Sequence, residues 1–149
     1  MDIDIFKPQL IELFKAYDVV LAYLFGSHAK GTAGSGSDVD IAVLFADDVP
    51  QTEYGRRMVQ INTELVGIFH INDVDVVVLN IAPPLLVFQV IKHGICVYDP
   101  GHQRVGFEVA VFNRYVDTQP LRDVQWKYYL KRQKARRSSQ KKTRRTSSW

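Results

Sequence analysis

Residues 19–25 read Val-Val-Leu-Ala-Tyr-Leu-Phe, an unbroken apolar run with β-branched and aromatic members that is closed at once by Gly26. A run this short, bounded by a glycine, predicts a buried strand. A chain holding such a strand must supply further strands to pair with it and helices to cover the sheet. The sequence on either side provides both. Leu10, Ile11, Leu13 and Phe14 recur at helical spacing after Pro8 and predict a first helix ending near Tyr17-Asp18. Residues 26–37 are rich in Gly and Ser, which is loop chemistry with room for one helical turn around His28-Ala29-Lys30. Asp38-Val39-Asp40-Ile41-Ala42-Val43-Leu44-Phe45 predicts a second strand that opens with strict acidic and apolar alternation.

Beyond that strand, Tyr54, Met58, Ile61, Leu65 and Ile68 fall at steps of 4, 3, 4 and 3, one face of a helix. Residues 74–79 predict a third strand. Pro83-Pro84 opens a helix through Ile91 that Gly94 stops, and Ile95-Cys96-Val97-Tyr98 is a short fourth strand. Val105, Val109, Phe112 and Val116 step by 4, 3 and 4, predicting a long C-terminal helix that Pro120 interrupts or kinks. The order α-β-(loop)-β-α-β-α-β-α predicts a small α/β (α+β) sheet with helices on at least one face. No internal repeat is visible.

The chain has 149 residues, 46% of them hydrophobic and 23% charged, which is one ordinary folded domain. No apolar run approaches the roughly 20 residues that span a bilayer, so no membrane span is expected. The acidic start Met1-Asp2-Ile3-Asp4 lacks the basic region that opens a secretory leader. Cys96 is the single cysteine, which excludes an internal disulfide and a cysteine zinc cluster and points to the cytoplasm.

The net charge of +3 hides an asymmetry. From Lys127 onward there are 10 basic residues and no acidic one, which leaves residues 1–126 with a net charge of −7. Residues 1–135 therefore read as the domain, and residues 136–149, rich in Lys, Arg, Ser, Thr and Gln, as a disordered tail. Such a tail is either a solvated extension or an arm that contacts nucleic-acid phosphates. The acidic body argues against a polynucleotide substrate and for a protein or a small cationic acceptor.

Asp38 and Asp40 stand two residues apart on a strand, so both side chains leave one face, with Val39, Ile41 and Val43 on the other. Two carboxylates about 4 Å apart repel by roughly 4 kcal/mol at an effective dielectric near 20, a cost that a cation removes. Hard oxygen ligands suit Mg²⁺. Asp73-Val74-Asp75 opens the third strand, and if that strand lies beside the second, Asp75 projects onto the same face. Three convergent carboxylates hold one or two divalent ions, and one of them can accept a proton from a nucleophile. Taken singly, each aspartate reads equally as a cap, a turn or a solvent-facing strand residue.

The loop completes the pattern. Gly26-Ser27 follows directly on a buried strand, with ten residues between Ser27 and Asp38. A glycine at a strand end lets backbone approach a phosphate, and Ser27 adds an N–H and a hydroxyl. Lys30 adds a cation and Gly31 a second close approach. His70, His93 and His102 show no metal-ligand spacing and read as surface residues. Cys96 reads as a small core residue. Trp126 and Tyr128-Tyr129 read as packing or as partner-facing.

Gly26-Ser27-x10-Asp38-x-Asp40, with the later strand aspartate, resembles the nucleotidyltransferase fold shared by DNA polymerase β, poly(A) polymerases and kanamycin nucleotidyltransferase. At this length the chain is similar to the minimal nucleotidyltransferases, the MNT or MntA-type antitoxins of HEPN-MNT toxin–antitoxin pairs. The residues from Asp75 to Leu86, Phe107-Glu108, and Arg114-Tyr115-x-Asp117-x-x-Pro120 extend the similarity, which covers residues 8–133. The resemblance implies a small mixed sheet flanked by helices, and transfer of AMP from ATP to a tyrosine of a HEPN ribonuclease toxin with release of pyrophosphate. It implies that Gly26, Ser27, Lys30 and Gly31 hold the triphosphate, that Asp38 and Asp40 bind Mg²⁺, and that Asp75 completes the metal site or acts as base. Many relatives carry Arg where this chain has His28 and Lys30. Lys30 still offers a point charge, while His28 can be neutral at physiological pH. Rival readings are a nucleotidyltransferase acting on an aminoglycoside-like cation, an antitoxin that neutralises by binding alone, and a nucleic-acid module using the tail. Homo- or hetero-oligomers are compatible with all of them.

Overall fold

A computed structural model describes residues 2–26 and 39–117. Four strands form one sheet: β1 (Val19–Phe25), β2 (Val39–Phe45), β3 (Val74–Val78) and β4 (Ile95–Tyr98), in the spatial order β3-β2-β1-β4. β1 runs antiparallel to both β2 and β4, while β2 and β3 are parallel. The helices are α1 (Lys7–Ala16), α2 (Tyr54–Phe69), α3 (Pro84–His93) and α4 (Arg104–Asp117), with short 3₁₀ turns at Ile3–Phe6 and Gln51–Glu53.

Local chemistry places these elements. Prolines sit in the first turns of α1 and α3, where a missing N–H costs nothing. α2 ends on His70, whose φ of 57° is the left-handed conformation that closes a helix. Gly94 caps α3 at a position that takes no side chain, since a Cβ there would run into the Val90 carbonyl oxygen. The carboxylate of Asp99 accepts the backbone N–H groups of Gln103 at 2.8 Å and Arg104 at 3.2 Å, starting α4.

Helices cover both faces of the sheet. One face carries Leu24, Val39, Ile41, Val43 and Val78 against Leu10, Leu13 and Phe14 of α1 and Ile61, Leu65 and Phe69 of α2. The other carries Leu21, Tyr23 and Ala42 against Leu86, Val87, Phe88 and Val90 of α3 and Val111 of α4. Among the described residues, no helix is long and apolar enough to cross a membrane.

The predicted elements agree with this architecture closely; α1 ends at Ala16 and α3 runs on to His93, a residue or two from the expected ends, and β3 and α4 differ as well. β3 ends at Val78, one residue early, although the Leu79 N–H still bonds the Val43 carbonyl at 2.8 Å. α4 forms, but its expected apolar stripe faces outward: Val105, Val109 and Phe112 are 72%, 55% and 53% exposed. Phe107 and Val111 turn inward instead. Periodicity identifies a stripe, and which side of a helix packs inward depends on what the sheet offers it. The expectations for Pro120, Trp126, Tyr128, Tyr129 and the basic tail, and the side chain of Val116, lie outside the described residues.

Candidate active site

Asp40 is the second residue of β2 and Asp75 the second residue of β3, and the parallel register makes them direct partners. Neighbouring strands lie about 4.8 Å apart, and partners in a parallel ladder point to one side. That side is set by their strand neighbours, since Ala42 and Val77 both belong to the α3–α4 face. The ladder is anchored at each end. The Val39 N–H bonds the Asp73 carbonyl at 2.9 Å, and the Leu79 N–H bonds that of Val43. The Asn62 amide of α2 donates to the Val74 carbonyl, the peptide oxygen directly before Asp75.

β1 delivers the third component. It runs opposite to β2, and its last residue, Phe25, pairs with Asp40. Gly26 follows with φ of 79°, a conformation that L side chains resist. Gly26, Asp40 and Asp75 thus lie side by side along one end of three adjacent strands. The expectation that the third strand lies beside the second, with Asp75 inside it, holds. Ser27, His28, Lys30, Gly31 and Asp38 lie outside the described residues.

Asp40 is 6% exposed and is the one buried charged or polar residue among the described residues. A buried carboxylate needs compensation by hydrogen bonds or a cation. The register sets a second carboxylate, that of Asp75, on the same side of the next strand, where like charges repel. Two hard oxygen donors so placed fit a divalent ion such as Mg²⁺. Among the described residues no group of three such side chains converges, and the expected third, Asp38, is outside them.

Two features escaped the sequence reading. Asn62, in the middle of an amphipathic helix, gave no sign of its role at β3. The second is a hydrogen-bonded trio that runs from the core to the surface: the Tyr23 hydroxyl donates to Glu108 Oε1 at 2.9 Å, and Arg104 Nε donates to the same oxygen at 3.0 Å. Burial pushes the Tyr23 hydroxyl far above the ordinary tyrosine range, and its bond to the Glu108 carboxylate pushes further the same way. A tyrosine inside an apolar strand signals that its hydroxyl needs a partner, though not which one. Burial also pushes the Cys96 thiol up, consistent with a core residue rather than a nucleophile. His70, His93 and His102 are exposed, as expected.

The Polymerase beta, Nucleotidyltransferase family model matches residues 8–103, a span that contains Gly26, Asp40 and Asp75. The chain belongs to this nucleotidyltransferase family. Within it, the chain is 32% identical over 102 residues to the protein adenylyltransferase MntA of Shewanella oneidensis MR-1, covering 68% of this chain and 70% of that protein. Among solved structures it is similar to a toxin–antitoxin crystal structure with AMP-PNP, at 29% identity and a TM-score of 0.66, covering 79% of this chain and 93% of that one. It is likewise similar to an MNT antitoxin in complex with the tri-AMPylated Shewanella oneidensis HEPN toxin, at 26% identity and a TM-score of 0.62, covering 81% and 92%.

Proposed function

We propose that this chain is an antitoxin-type protein adenylyltransferase that transfers AMP from ATP to a tyrosine of a partner HEPN ribonuclease toxin, releases pyrophosphate and thereby neutralises the toxin. The observation that carries the reading is the in-register pair Asp40–Asp75 beside Gly26, in a chain whose relative is a protein adenylyltransferase. Asp40 and Asp75, with Asp38, hold Mg²⁺. Gly26, Ser27, Lys30 and Gly31 hold the triphosphate. Bound Mg²⁺ supplies charge neutralisation at the phosphates. In this reading Asp75 also takes the proton of the attacking tyrosine, whose hydroxyl has an ordinary pKa near 10 and needs a base at neutral pH. The new bond joins the tyrosine oxygen to the α-phosphorus, and the bond from that phosphorus to the pyrophosphate oxygen breaks. Residues 1–135 carry this activity, in the cytoplasm, and the basic tail is dispensable for it.

The test mixes the purified chain with ATP labelled at the α-phosphate, Mg²⁺ and a HEPN toxin encoded beside it. The toxin gains label, a chelator abolishes the gain, and Asp40→Asn lowers the rate by about 10²-fold or more while the fold persists. Absence of label on a toxin that the chain nonetheless binds and silences would replace this reading with neutralisation by binding alone.

A further inference from the structure

Gly26 is expected to serve a phosphate by letting backbone come close. The structure shows what lies against the bare side of its Cα. A Cβ added there would collide with Oδ2 of Asp40, and it would stand 3.3 Å from that residue's Cγ and 3.6 Å from its Cβ. The space that a side chain at position 26 would fill is therefore occupied by the Asp40 carboxylate. That carboxylate has little room to yield: Asp40 is 6% exposed, sits within a paired strand, and is flanked by the partners Phe25 and Asp75.

From this we infer that Gly26 is a positioning residue for Asp40: its missing side chain leaves the volume that the Asp40 carboxylate occupies. The inference rests on the proposed reading for its catalytic meaning, but its steric core does not. A methyl group at position 26 has two separable consequences. One is the strain of φ 79° in an L residue, which is the same whatever stands at position 40. The other is the collision, which disappears when the Asp40 carboxylate is removed.

Thermal unfolding of four proteins separates them: wild type, Gly26→Ala, Asp40→Ala and the double variant. Gly26→Ala lowers the Tm in both backgrounds, and by about 4 °C or more less when Asp40 is already alanine. Binding of Mn²⁺, followed by its electron paramagnetic resonance signal, gives a second readout independent of catalysis. Gly26→Ala weakens Mn²⁺ binding about tenfold or more in an otherwise wild-type chain. If Gly26→Ala folds only in the Asp40→Ala background, that outcome supports the inference as well. Equal Tm losses in both backgrounds would overturn it, and so would a Gly26→Ala chain that keeps the wild-type Mn²⁺ affinity. A chain that shows the thermal coupling but never labels a toxin retains the positioning role and loses the proposed function.

Discussion

Tyr23 is fully buried, and removing its hydroxyl as Tyr23→Phe keeps the ring while deleting one bond, to Glu108 Oε1 at 2.9 Å. A hydrogen bond to a charged acceptor contributes about 1.5–3 kcal/mol. The loss falls at the lower end here, because Glu108 keeps Arg104 at 3.0 Å and its side chain is 26% exposed, so water can replace the hydroxyl. Tyr23→Phe therefore lowers stability by about 1.5 kcal/mol and the Tm by about 6 °C. Glu108→Ala is the informative counterpart. It leaves the buried Tyr23 hydroxyl without its acceptor, at a cost of about 1–3 kcal/mol, and it releases the hydrogen bond that joins α4 to β1. It is expected to be the more damaging of the two, with the double variant less damaging than the two losses added together. Urea unfolding followed by far-ultraviolet circular dichroism measures all three. The reasoning is refuted if Tyr23→Phe unfolds with the wild-type midpoint, or if the two losses simply add, since either result means that the bond does not hold α4 to the sheet.

Stability also falls in alkali. Native Tyr23 keeps its proton above pH 10 while the unfolded chain releases it, so the unfolded state binds fewer protons and stability declines with rising pH, by about 1.4 kcal/mol per pH unit for each such group. The Cys96 thiol, also pushed up by burial, starts the decline near pH 9, and the Tyr98 hydroxyl, pushed up the same way, adds to it above pH 10; urea midpoints between pH 8 and 11 show whether Cys96→Ala flattens the first part and Tyr23→Phe a share of the later part. Asn62→Ala removes the donor to the Val74 carbonyl, costs about 1 kcal/mol, and slows toxin labelling more than an equally destabilising change on the far side of α2, because it loosens the backbone beside Asp75. Deleting residues 136–149 leaves labelling and toxin association unchanged, and a loss of either in a pull-down would make the tail part of the functional unit.

Much of the fold was legible because its signals are local. The run at residues 19–25 is β1 to the residue, Pro83-Pro84 and Gly94 bracket α3, and the steps of 4 and 3 from Tyr54 to Ile68 are α2. What failed to show was orientation. Val105, Val109 and Phe112 mark a helix correctly, yet the inward side of α4 is the one bearing Phe107, Glu108 and Val111. Tyr23 settles that side. Its hydroxyl in an apolar layer needs a hydrogen-bond partner from whatever covers it, here Glu108, and that need comes from a strand some 85 residues earlier.

The site poses the same problem in sharper form. Asp40 and Asp75 are 35 residues apart, and each by itself reads as an ordinary strand-start aspartate. Nothing in either segment states the register between them. Because side chains alternate across a sheet, a slip of one residue would send Asp75 to the opposite face, among the apolar side chains of α1 and α2, while Val74 or Val76 took its place. The burial pattern forbids this: Val74 and Val76 pack on the α1–α2 side and Val77 on the α3–α4 side. The hydrophobic alternation that makes β3 a strand thus also decides that its carboxylate meets Asp40. The bonds from Val39 to Asp73, from Leu79 to Val43 and from Asn62 to Val74 then hold that register at both ends. Placement of the acidic pair is a consequence of core packing, which is why a change at Asn62 or Val76, neither of them near a phosphate ligand in sequence, should be felt in the chemistry.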